Sequence, residues 1–383
     1  MVKKALLVGI NYKGKFSSQS IIDPPNTPAR IIKGGSVKLN GCIKDVNNMK
    51  TYLKDIIGIS ENNITLLTDD STDPLKIPTC KNIKDNMASL VKDVAAGDSL
   101  FFYYSGHGAL IDDIDPKDEN NNNNKDSYIY PVDYFNGSAP DVKLLIIDDD
   151  LKKMLINPIP SGANLTVVLD CCHNGTGGDL KYVYTDTTTI TTNNPLLSNK
   201  TLLEKIEQSS KIIKQDCITM NYLETVGDVV VISGCRDNQV AGDTTMGGHL
   251  SVSLLTILKS PTFNTALDKV SIGNGKYTIT WSELFYRLRY LMKEKRYVQI
   301  VQFSVGRSNA MSSNITFLPN STLLTLINST SSRSEPVSEP VSEPVSEPVS
   351  EPVSEPVSEP VSVIILTPIL RPRPTKMYMR IIN

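Results

Sequence analysis

Two short stretches bring nucleophilic and basic side chains together. "LDCCHNG" sets Cys171, Cys172 and His173 directly after Asp170, and "YYSGHG" sets His107 between Gly106 and Gly108. The chain of 383 residues holds only three histidines and six cysteines, so two histidines at these positions are informative. Three chemistries are open to such residues. Zinc could draw on Cys171, Cys172 and His173, but adjacent cysteines rarely fit one tetrahedral ion and no C-x2-C partner pair occurs elsewhere. Dithiol redox work normally uses C-x-x-C, which is absent. A cysteine nucleophile needs a base adjacent in space rather than in sequence, to hold it as a thiolate. His107 meets that need. His173 is the poorer base, because successive residues leaving a strand project to opposite sides. One strand-end cysteine alone would be read as a small buried hydrophobe; its combination with His107 favours catalysis. The backbone N–H of Gly108, with no side chain in the way, can share an oxyanion hole with the N–H of the cysteine.

The elements that position these groups are legible around them. "KALLVGI", "NITLLT", "SLFFYY", "NLTVVLD" and "DVVVIS" are apolar runs with strand character. Ile43, Val46, Met49, Leu53 and Ile56 recur at helical spacing, as do Ile83, Met87, Leu90, Val91 and Val94. A further helix carries Trp281, Leu284, Leu288 and Leu291, and "VQIVQFSV" reads as a last strand. Strands apolar throughout and separated by helices predict an α/β fold, a mostly parallel sheet covered on both faces. Reactive groups in such sheets gather at the carboxyl ends of strands, where "SGHG" and "DCCH" both lie.

The bulk numbers bound the function classes. A net charge of −2 gives no reason to expect nucleic acid or an acidic membrane surface. No apolar stretch approaches the roughly 20 residues of a membrane span, and the run Ala5 to Ile10 is too short for a signal sequence. Sparse cysteines fit a reduced, cytoplasmic setting. Folded sequence should end near residue 325. "DENNNNNKD" reads as an exposed loop insertion, and from Ser334 to Val361 the tetrapeptide SEPV repeats. Its regularly spaced prolines and glutamates predict an extended spacer within a disordered tail, 326–383.

"YYSGHG" and "LDCCHNGTGGDL" resemble the two catalytic signatures of metacaspases, the caspase-like cysteine peptidases. "ALLVGINY", "LNGCIKDVNNM", "IYPVDY", "IIDDDL" and "VVVISGCRDNQVAGDT" extend the resemblance in order from Lys3 to Ser304. It implies the caspase-hemoglobinase fold, a three-layer α/β/α sandwich with a large portion over about 1–195 and a small one over about 220–325. The family's histidine falls on His107 and its nucleophile on Cys172, leaving Cys171 a neighbour. Cleavage after Arg or Lys is implied, with Asp45 and Asp170 as pocket acids and Cys42 and Ser105 as further lining. A calcium requirement is implied as well, with Asp126, Asp148, Asp149 and Asp179 as ligands. Without the resemblance, Asp45 would be read as helix-dipole stabilisation and "DDDL" as an acidic helix start. No Pro- or Gln-rich region or zinc finger precedes the first strand and the linker between the two portions is short, so a type I-like member without a prodomain is expected.

The expectation is therefore a monomeric, calcium-activated endopeptidase acting on proteins or peptides, with no nucleic-acid or membrane partner. An inactive caspase-like scaffold binding partners through its tail is the alternative. Lys200, Lys205, Lys211 and Lys214 lie in a polar linker and are the expected self-cleavage sites.

Overall fold

Aliphatic residues in the run KKALLVG build β1 (Lys3–Gly9), whose last five residues are buried. The helical stripe that follows becomes α1 (Cys42–Thr51), which widens into one π turn over Tyr52–Ile56. Then come β2 (Ile64–Thr68), α2 (Cys80–Val91), β3 (Ser99–Ser105), β4 (Gly108–Asp112), β5 (Lys125–Ile129), β6 (Ile146–Ile147) and the single turn α3 (Asp148–Leu151). The chain continues through β7 (Asn164–Asp170), β8 (Tyr182–Tyr184), β9 (Cys217–Thr219), β10 (Asp228–Ser233), β11 (Asp243–Thr244), β12 (Gly247–Gly248) and α4 (His249–Leu258). The remaining elements are β13 (Val270–Ser271), β14 (Tyr277–Thr278), α5 (Trp281–Glu294) and β15 (Gln302–Val305). The computed structural model describes residues 1–13, 38–112, 125–134, 141–172, 178–185, 217–236, 241–259, 270–271, 277–278 and 280–312. The Asn-rich insertion as far as residue 124, His173, the four linker lysines and the tail 326–383 lie outside the described residues.

The main sheet has the strand order β2-β1-β3-β7-β10-β15-β8-β9. The first five strands are parallel, and β15, β8 and β9 are added through three successive antiparallel pairs, β10–β15, β15–β8 and β8–β9. Alternation along each strand divides the apolar residues between two cores. Leu7, Tyr103, Val168 and Ile232 face one side with Met49 of α1, Leu254 of α4 and Leu284 of α5. Val8, Phe102, Val167 and Val231 face the other with Ile83 and Met87 of α2 and Leu155. A sheet buried on both faces between helices is the expected three-layer α/β/α arrangement. Complete burial of a side chain such as Leu7 contributes about 1.5–3 kcal/mol. The last strand is shorter than the run "VQIVQFSV" predicts, and the Gln299 amide is spent on loop backbone instead.

No helix among the described residues is long and apolar enough to cross a membrane.

Candidate active site

Register places the two reactive stretches side by side. In the parallel pair β3 and β7, Ser105 lies opposite Asp170, and the Gly106 N–H donates to the Asp170 carbonyl at 3.4 Å. His107 and Cys172 each follow two residues later, so they leave neighbouring strand ends at one level. The two cysteines part at this point. Cys171 turns inward and is 1% exposed within the core, whereas Cys172 is partly open. The Cys172 Sγ accepts the Ala241 N–H at 3.3 Å and lies 3.9 Å from the Ala241 carbonyl, so this residue's backbone positions the sulfur. Gly108 opens β4 opposite Ile129, and the ladder bond runs from the Tyr130 N–H to the His107 carbonyl at 3.2 Å. That pairing makes the Gly108–Ile129 rung the non-hydrogen-bonded kind, so the Gly108 N–H is directed away from β5.

Beneath these strand ends sit buried carboxylates. Asp45, in the first turn of α1, accepts from the Ser105 hydroxyl at 3.0 Å and the Gly248 N–H at 2.9 Å. Asp170 accepts the Ser251 N–H at 2.9 Å and the Ser251 hydroxyl, capping the start of α4 from another strand. Burial, then the charge of Asp170, pushes the Asp45 carboxyl up to about 8. Burial also lifts Asp170, to about 6, against the two Ser251 hydrogen bonds that favour its ionised form. Cys42 is buried on the same helix turn, and its thiol is raised well above the ordinary range by burial. The backbone of Gly247 and Gly248 lies directly on the two acids: a Cβ on either would stand 2.2 Å from a carboxylate oxygen. Both acids are therefore buried beside each other, where the ionisation of either is costly.

The proposed metal ligands lie along a different edge. Asp126 is on β5, Asp148 and Asp149 on α3, and Asp179 beyond β7; Asp126, Asp148 and Asp179 are buried and Asp149 partly so. Asp148 is held well above the ordinary carboxylate range by burial and by the charge of Asp179. Asp148 accepts the Ser127 N–H and hydroxyl, and Asp179 takes the Tyr222 hydroxyl at 2.9 Å with Lys152 at 3.8 Å. Among the described residues no group of three or more His, Cys, Asp or Glu is gathered closely enough to hold a metal ion. The four side chains offer carboxylate oxygens, the donor type a hard cation such as calcium takes, but they are not gathered into a ligand shell here. Asp126 lies on the strand that pairs with β4, three positions along the ladder from the Gly108 rung.

Two further side chains, not among the expected site residues, hold the surrounding segments in place. The Asp243 carboxylate accepts the N–H groups of Asn40 and Gly41 at 2.8 and 3.1 Å, pinning the start of α1 from across the chain. The Gln299 amide, 5% exposed, accepts the Gly242 N–H at 2.6 Å and donates to the Gly234 carbonyl at 2.8 Å. It thereby fixes the segment whose Ala241 N–H meets the sulfur.

Known proteins resemble this chain closely. The family described as "Metacaspase, peptidase C14 domain" matches residues 3–181. Metacaspase-1 of Meyerozyma guilliermondii is 32% identical over 340 residues, spanning 82% of this chain and 72% of its own. Metacaspase-1 of Debaryomyces hansenii is 32% identical over 339 residues, 82% of this chain and 67% of its own. Metacaspase-1B of Aspergillus fumigatus is 34% identical over 306 residues, 72% of this chain and 67% of its own.

Proposed function

Because this chain belongs to the metacaspases, caspase-like cysteine peptidases, we propose that it hydrolyses protein chains after Arg or Lys through a dyad of Cys172 and His107. The observation that carries the reading is the matched register of Ser105 and Asp170, from which both reactive groups leave adjacent strand ends above two buried acids. His107 takes the proton of Cys172, and the thiolate attacks the carbonyl carbon of the bound residue. The N–H groups of Gly108 and Cys172 receive the oxyanion. As the tetrahedral intermediate collapses, the imidazolium returns its proton to the departing amine, leaving a thioester. Water, deprotonated by His107, then attacks that thioester, releasing the acid and restoring the thiol. Asp45 and Asp170 hold the basic side chain of the substrate.

Calcium is proposed as activator, held by Asp126, Asp148, Asp149 and Asp179. When bound, it supplies the positive charge that lets these neighbouring carboxylates ionise together. Self-processing is proposed within the linker, at Lys200, Lys205, Lys211 or Lys214.

The test compares wild type, Cys172→Ala and Cys171→Ala on peptide amides ending in Arg or Lys, with mass spectrometry of the chain after calcium addition. Only the Cys172 variant should be inactive and remain whole. Activity in Cys172→Ala equal to wild type would sink the dyad, and loss confined to Cys171→Ala would transfer the role to the other sulfur.

A further inference from the structure

The strand-end register brings His107 to its place but leaves its imidazole to be oriented by something else. Tyr12, three residues past β1, packs against it. Its ring centroid lies 4.7 Å from that of His107, tilted by 35°. Tyr130 flanks the imidazole at 6.3 Å with its ring turned by 82°. The hydroxyls engage the peptide of the same histidine. The Tyr12 hydroxyl accepts the His107 N–H at 3.1 Å and donates to the Tyr130 carbonyl at 2.8 Å. The Tyr104 hydroxyl donates to the His107 carbonyl at 2.7 Å and lies 3.0 Å from that of Tyr12.

Two further features point the same way. Tyr12 has φ of 55°, in the left-handed region that a bulky side chain enters only under constraint. Such strain, at a fully buried aromatic beside a reactive group, marks a conformation that the surroundings enforce. Gly106 is shaped by the same hydroxyls: a Cβ there would stand 2.4 Å from the Tyr104 oxygen and 3.1 Å from that of Tyr12. Burial keeps both phenols protonated far above the ordinary range, so each has a proton to donate.

We propose that Tyr12 and Tyr104 are positioning residues for catalysis, a pair of hydroxyls gripping the His107 peptide while the Tyr12 ring fixes the imidazole plane. The inference rests on His107 being the base of the dyad. Two buried hydroxyls would be costly in an apolar core without partners, and here their hydrogen bonds converge on the backbone of one reactive residue and its neighbour. Because they orient the base and do not line the acidic pocket, their removal should lower kcat and leave KM in place.

The experiment measures kcat and KM on an Arg-ending peptide amide, and the pH profile of iodoacetamide alkylation at Cys172, for full-length Tyr12→Phe, Tyr104→Phe, Tyr12→Leu and His107→Ala. Thermal melts report folding. Tyr12→Phe, which keeps the ring, should lose about tenfold in kcat, the loss expected from a misoriented base, with KM within about twofold of wild type. Tyr12→Leu should lose more, and the alkylation profile should shift in both. Unchanged kcat and alkylation profile in both Phe variants, with His107→Ala inactive, would overturn the clamp and leave the dyad standing. An active His107→Ala would overturn the dyad and the clamp with it. A loss that merely follows the unfolded fraction in the melts would overturn the positioning role alone.

Discussion

Replacing Asp45 by Asn should change how the protein's stability responds to pH. The Asp45 side chain is fully buried, and burial together with the charge of Asp170 raises its carboxyl to about 8. In an unfolded chain the same group titrates near 4, at about 3.9. A folded state that holds the proton more tightly keeps its full contribution below the unfolded value and loses it as pH climbs through the folded one. Between pH 6 and pH 9 the unfolded carboxyl is charged throughout, while Asp45 in the native pocket goes from protonated to charged. The climb costs at most roughly 1.4 kcal/mol per unit, a slope that halves as the folded value is reached, or about 2 kcal/mol from pH 6 to about 8. That corresponds to a fall in Tm of roughly 4–8 °C at most. Asn retains an oxygen for the Gly248 N–H and the Ser105 hydroxyl, so the substitution removes the titration and spares the hydrogen bonds. The assay is a series of melts at pH 6, 7, 8 and 9 in the Cys172→Ala background, where self-cleavage cannot intervene. The chain with Asp45 should lose Tm steeply across the series, and the Asp45→Asn chain should lose several degrees less. Parallel curves for the two would refute the reasoning.

Two other outcomes follow from the geometry. Calcium should stabilise the Cys172→Ala chain by RT ln(1 + [L]/Kd), raising its Tm, and leave Asp148→Asn nearly unmoved, since that change removes a proposed ligand; a thermal-shift titration measures it, and equal shifts in both would exclude this site. Gln299→Met should destabilise the chain by about 2–3 kcal/mol, the cost of leaving the Gly242 N–H and the Gly234 carbonyl without their partner, and should lower kcat/KM as the Ala241 N–H drifts from the sulfur. Denaturant melts and steady-state kinetics on the same preparation check both halves.

Much of this protein is written locally. The runs KKALLVG, SLFFYYS and NLTVVLD became β1, β3 and β7 because a strand buried on both faces must be apolar throughout, and α1 and α2 followed their helical stripes because one face of each packs on the sheet. The acidic pocket was legible only through resemblance, since Asp45 alone looks like an ordinary acid in a first helical turn. Choosing between Cys171 and Cys172 also needed more than local pattern. In the fold, successive residues past β7 project to opposite sides, so one sulfur is sealed in the core and the other stands open beside Ala241. Tertiary structure alone decided the supports. Asp243 meets the start of α1 from 202 residues away, and the Tyr12 hydroxyl reaches His107 across 95. Tyr12 and Asp243 fall within ALLVGINY and VVVISGCRDNQVAGDT, yet those stretches do not say which partner each meets, because a hydrogen bond between distant segments constrains two side chains and nothing in the sequence between them. What the sequence determined is therefore the pattern set by burial and by the reactive residues themselves; what only the fold decided is which buried polar groups would meet them.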